Sequence, residues 1–343
     1  MKGFGITIAV FSVLMLVIPL IVLSGNKTMQ YSLTENSYGT SNFNSIETFR
    51  VLNVKTNKIE TLGAIDYVCG VVAAEEYPSY QTETLKAQAV ASFTYAVYRL
   101  EYNKKHPNAT LEFKGADFST DSASCKSYIS KDDAKKLWGK NFDYDWNKIH
   151  DAVTSVANKI MVYNNVPIAA VYCAMSSGIT ESSKDVWGTD VPYLVEVQSV
   201  GDTLAPSFET KVTFTQDKFK QLVLAKYADA VFTDTPAQWI DKFVRSNAGG
   251  VITAEVCGKS LRGEDIRALF NLRSANFVLT YKNNTFTFDV KGYGHGVGMS
   301  QNGSNYLALQ GKKWDEILNC YYKGIQIVNY DDFKIQQQTN EAA

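Results

Sequence analysis

Apolar and polar positions alternate in several registers along the chain, and each register predicts an element. Residues 4–24 are uncharged and almost wholly apolar; about 20 such residues suffice to cross a bilayer. The run is long and lacks a small-x-small cleavage site, so it predicts an uncleaved anchor over residues 1–25, with the body of the chain outside. Residues 26–47 are rich in Asn, Ser, Thr and Gly and predict a polar tether. Phe49 to Glu60 alternates around an Asn57-Lys58 turn, as a hairpin does.

Between Asp66 and Arg99 the period changes to that of helices. Val68, Val71 and Val72 fall on one stripe, and Glu75, seven residues after Val68, falls on it too. Glu76 is turned about 100° toward the edge. A carboxylate on an apolar face is partly desolvated, which raises its pKa and suits it to general acid work. The alternative is a buried structural Glu. A second helix starts at Thr82; Leu85, Ala89, Ser92, Ala96 and Leu100 mark one face, and Lys86, Val90, Phe93 and Val97 another. A helix with usable faces all round is central.

Beyond it the pattern predicts an irregular polar stretch at 103–150 with a short helix near Asp132–Trp138. Ile160–Val171 reads as a hairpin turning at Asn164-Asn165, leading into a polar loop over Tyr172–Trp187. Helices are predicted at Asp217–Tyr227, Pro236–Val244 and Gly263–Phe270, and strands at Val251–Val256, Phe277–Tyr281 and Thr285–Val290. Gly292–Asn305 is a glycine-rich loop around His295. Helices at about Asn305–Gln310 and over Trp314–Tyr321 close the domain, and the tail from Asp331 is polar and frayed. Strands and helices do not alternate as in a doubly wound sheet. The class is therefore α+β: central helices packed with antiparallel strands and hairpins around a groove, in one domain over 48–330 with a tail over 331–343.

Composition narrows the chemistry. The net charge of −1 carries no basic excess for nucleic acid. Five scattered cysteines form neither a CxxC pair nor an even disulfide set, and three histidines are too few for a His-rich metal site. Gly294–Gly298 lacks the ending of a phosphate loop. Cys173 with His295 would suit a Cys/His peptidase or amidase, though nothing in the sequence places a third, orienting group. Glu75 would suit single-carboxylate acid catalysis on a sugar chain, with Lys86, Ser176, Thr180, Glu181 and His295 as possible donors.

Three blocks, GVVAAEEYPSYQTETLKAQAVASFTY, SSGITESSKDVWG and GYGHGVGMSQNGSNYLALQGKKWDEILNCYYKG, occur in this order. Together they resemble the stage II sporulation protein D family of lytic transglycosylases. The resemblance implies a membrane-anchored enzyme at the cell membrane. It would cut peptidoglycan glycan strands stripped of stem peptides and leave a 1,6-anhydromuramic end. It would work with sporulation proteins P and M during engulfment. The family's catalytic glutamate falls on Glu75. Lys86, Gln88 and Tyr95, then Ser176, Thr180, Glu181 and Trp187, then Tyr293, His295, Ser300 and Gln301, fall on the blocks and would bind substrate. Two departures stand out. Phe93 replaces an arginine, and Cys173 replaces a histidine. Some relatives hold zinc in a His/Cys-rich loop; here only Cys125 remains in the corresponding Gly115–Cys125 stretch, so neither metal nor cofactor is expected. The remaining alternative is a wall-binding scaffold without catalysis.

Overall fold

The computed structural model describes residues 48–121 and 124–341. The expected anchor and tether lie outside them. No described helix is long and apolar enough to cross a membrane.

The helix Thr82–Lys105 is the hub. Small residues (Ala87, Ala89, Ala91, Ser92) bring it close to its neighbours, and nearly every side chain from Thr84 to Val97 is buried. Helices Ala64–Glu75, Phe142–Ser155, Gln301–Leu309 and Trp314–Tyr321 pack around it, together with strand Lys159–Tyr163. The hairpin Thr48–Asn53/Lys58–Gly63 pairs antiparallel, with Asn57 in the left-handed conformation at its turn (φ 57°). Asn164 and Asn165, both at positive φ, close the Lys159–Tyr163/Val166–Pro167 hairpin.

A second core, separate from the first, gathers Phe219, Trp239, Phe270, Phe277, Phe286 and Phe288. It is built from two three-stranded antiparallel sheets, Lys259–Arg262/Val251–Val256/Ile240–Arg245 and Phe277–Lys282/Thr285–Lys291/Glu209–Thr215, and the helices Gln216–Lys226 and Gly263–Leu269. The fold is thus mixed α+β with small, mainly antiparallel sheets.

Four expectations are corrected. Residues 142–155 form a helix rather than an irregular stretch, with Phe142, Trp146, Ile149 and Val153 buried at helical spacing. Residues 240–245 form a strand rather than a helix, paired with Val251–Val256 through a bulge at which Lys242 takes a φ of 50°. The helix expected from Asn305 begins at Gln301, capped by the Ser300 hydroxyl, which accepts from the Gly303 N–H at 3.1 Å. The tail carries a helix, Tyr330–Glu341, anchored by buried Tyr330 and Phe333. Tyr330 lies edge-on to Phe93, with ring centroids 5.8 Å apart. Position 93 therefore belongs to the core and not to the groove, so the arginine-to-phenylalanine departure is a packing change.

Candidate active site

A groove of about 600 Å³ runs past the C-terminal end of the helix Ala64–Glu75. Glu75, Glu76, Tyr77 and Tyr80 form one wall; Tyr293, Arg273 and Ser207 line it from the second core and the glycine loop, and Trp138, Gln301 and Asn302 complete it. The two loops that close the groove are stitched through their backbones. Met175 N donates to the Tyr293 carbonyl (3.0 Å) and Tyr293 N to that of Met175 (2.8 Å), while Glu181 N donates to the Gly296 carbonyl (2.8 Å). This approach explains the glycines. A Cβ on Gly298, at φ 76°, would lie 2.1 Å from the Val171 carbonyl oxygen.

Glu75 ends its helix half-buried, and its Oε1 accepts from the Ser127 N–H at 2.9 Å. Its backbone carbonyl accepts from Gln301 Nε2 at 3.0 Å. The fully desolvated carboxyl is not Glu75, as the helical stripe predicts, but Glu76. Residue 76 has left the helix (φ −119°, ψ 150°), so the 100° rotation no longer applies and its side chain turns inward. Burial, and then the charge of Glu75, hold the Glu76 carboxyl well above the usual carboxylate range. Neither of its oxygens has a hydrogen-bond partner among the described residues.

Of the other candidates, Tyr293 and Gln301 join Glu75 at the groove. Ser176 and Ser300 are buried behind it, held by a residue that the sequence reading missed. Asp202, fully buried, accepts from Ser176 N (3.0 Å), Ser176 Oγ (2.6 Å), Ser300 Oγ (2.7 Å) and Asn302 Nδ2 (3.3 Å). It lies outside all three blocks, and its setting SVGDTLAP has no distinguishing spacing. Lys126, also missed, sits half-buried with Nζ 3.6 Å from the Tyr172 ring centroid and 4.7 Å from that of Tyr95. Burial lowers its pKa to about 8, against the opposing charge of Glu75.

The remaining candidates are not among the residues that line this groove. Gln88 and Thr180 are fully buried: Gln88 donates to Ser92 Oγ (3.3 Å), and Thr180 Oγ1 bonds the Val195 carbonyl and the Val197 N–H. Lys86 is paired with Glu83 at 3.0 Å. Glu181 is buried, accepts from Gly250 N at 3.1 Å and borders a separate small cavity with His295. Trp187, 40% exposed, lies against His295 with ring centroids 5.2 Å apart.

A Cys/His pair is disfavoured. Burial pushes the Cys173 thiol up to about 12. Burial, then Lys126 and Arg267, press His295 down to about 3, and its Nδ1 accepts from Val297 N at 3.0 Å. A thiol held neutral is a poor nucleophile. The groove instead offers one reachable carboxylate among flat aromatic surfaces.

The family model described as "Stage II sporulation protein" (SpoIID) matches residues 53–163. Stage II sporulation protein D of Bacillus subtilis (strain 168) is 34% identical over 97% of this chain and 98% of its own length. That of Bacillus amyloliquefaciens is 36% identical over 84% and 80%. The "Amidase enhancer" of Bacillus subtilis (strain 168) is 25% identical over 76% of this chain and 40% of that protein. The chain belongs to the stage II sporulation protein D family.

Proposed function

We propose that this protein is a lytic transglycosylase acting on peptidoglycan glycan strands, with Glu75 as its single acid and base. The observation that carries the reading is the arrangement of carboxyls in the groove. Glu75 is reachable and oriented by the Ser127 N–H. Among the described residues the only other carboxyl lining the groove, Glu76, has both oxygens shielded from solvent. A two-carboxylate hydrolysis needs a second reachable group. A lytic cleavage does not. In its protonated form Glu75 gives its proton to the glycosidic oxygen as the bond from C1 breaks. The muramic 6-hydroxyl then bonds to C1 and returns its proton to Glu75, leaving the 1,6-anhydro ring without consuming water.

The uncharged run at 4–24 supports a membrane anchor with the domain facing the wall. The family supports a place in cell-wall remodelling during sporulation, alongside sporulation proteins P and M. Glu75→Gln is expected to abolish anhydro-ended products from purified, peptide-free glycan, read by mass spectrometry, while the thermal midpoint stays within about 2 °C of wild type. Release of those products by the variant overturns the assignment. The likeness to an amidase enhancer favours a second reading, a scaffold that promotes a partner amidase. In that case the wild type itself binds glycan and leaves it uncut.

A further inference from the structure

Among the residues lining the groove, Arg273 is the only cation. Its backbone carbonyl accepts from Gly294 N at 2.9 Å, which fixes it to the glycine loop. Its guanidinium carbon lies 4.3 Å from the Tyr293 ring centroid. Nη1 donates to the Ser207 carbonyl at 2.9 Å. Nε is buried with no acceptor, and Nη2 meets none among the described residues. Among the described residues no carboxylate pairs with this side chain, whereas the arginines at 262 and 267 each have an acidic partner. An under-coordinated guanidinium beside a ligand groove is poised for an acceptor from the ligand.

We propose that Arg273 is a specificity residue that binds the free lactyl carboxylate of a muramoyl sugar; this rests on the glycan-strand reading above. In a strand that still carries stem peptides, that carboxyl is an amide and bears no charge. In a stripped strand it is an anion, the partner for which a guanidinium fork is shaped. The Tyr293 ring, 46% exposed, backs the guanidinium and keeps it facing the groove. Two consequences follow. Stripped strands bind better than amidated ones. And because only alternate sugars carry a lactyl group, the ion pair sets the register, so that every second glycosidic bond is offered to Glu75.

The test uses the full chain and two forms of one glycan preparation, peptide-free strands and the same strands converted to methylamides with carbodiimide. In the Glu75→Gln background, calorimetry is expected to show the free-carboxylate strands bound about 10- to 100-fold more tightly, as a charged hydrogen-bonded pair provides. Adding Arg273→Gln weakens binding of those strands alone and erases the preference; Arg273→Lys restores part of it and controls for misfolding. The proposal is overturned if the Arg273→Gln protein keeps the preference, or if the Glu75→Gln protein shows none. Failure of the catalytic reading is distinguishable. There, wild type releases no anhydro ends while the binding preference still follows Arg273.

Discussion

Gln301 Nε2 donates to the backbone carbonyl of Glu75 at 3.0 Å across 226 residues of sequence. The last carbonyls of a helix lack partners within it, so this bond fixes the helix end that carries Glu75. Gln301 is 6% exposed and is one of the residues lining the groove. Gln301→Ala is expected to lower kcat about 10-fold, through a loosened Glu75, with KM changed less than about two-fold. It should cost about 1 kcal/mol of stability by urea denaturation. A fall carried wholly by KM would instead make Gln301 a substrate contact.

Asp202 joins the middle and last blocks behind the groove. It takes four hydrogen bonds from Ser176, Ser300 and Asn302 with no exposure of its own. Asp202→Ala leaves those donors unsatisfied in a buried site, so a loss on the order of 3–5 kcal/mol is expected. Asp202→Asn keeps the shape and two acceptor lone pairs, and should cost less. Chemical denaturation of both variants checks the order. An Asp202→Ala loss under about 1 kcal/mol would mean that the two loops hold together through their backbones alone.

Much of this was legible in the chain. The central helix, the Asn-closed hairpins and the glycine loop follow from strong local signals. Other features were lost where two signals competed. In the stretch from Phe142 to Ser155, Asp143, Asp145 and Lys148 masked an apolar period that the structure uses in full. At 240–245 the bulge breaks strict alternation, so the strand resembles a short helix. The place of Glu75 at the groove was legible, but the burial of Glu76 in its stead was not, because burial depends on where the helix stops and the pattern continues smoothly through residue 76. Asp202 and Arg273 lay outside the apolar patterns and the three blocks, and only tertiary proximity reveals them.

The buried Glu76 predicts a particular pH dependence. Its folded pKa is raised, so between the unfolded and folded values the native state holds a proton that the unfolded chain has released. The stability it permits is fully present below the unfolded pKa and falls as pH rises toward the folded one. In that window the slope from this group is about 1.4 kcal/mol per pH unit. Glu76→Gln keeps the size and removes the titration. Urea midpoints from pH 5 to 8 should therefore show wild type losing stability relative to the variant as pH increases. Parallel profiles would show that Glu76 ionises freely in the native state.

Cys173 provides the sharpest separation between the glycan and peptide chemistries. Its thiol is 4% exposed and held in the neutral form, beside a glycine loop whose packing leaves no slack: a Cβ on Gly294 would come within 2.9 Å of the Cys173 Cβ. A nucleophilic cysteine needs the opposite environment, one that lowers its pKa and opens it to substrate. Cys173→Ser is expected to keep anhydro-product release within about three-fold of wild type, with a stability loss on the order of 1 kcal/mol from burying a hydroxyl in place of the thiol. Iodoacetamide at neutral pH should leave Cys173 unmodified in the native protein, as read by peptide mass spectrometry. Rapid alkylation of Cys173 together with loss of wall cleavage would move the reaction from the glycosidic bond to an amide and from Glu75 to the thiol.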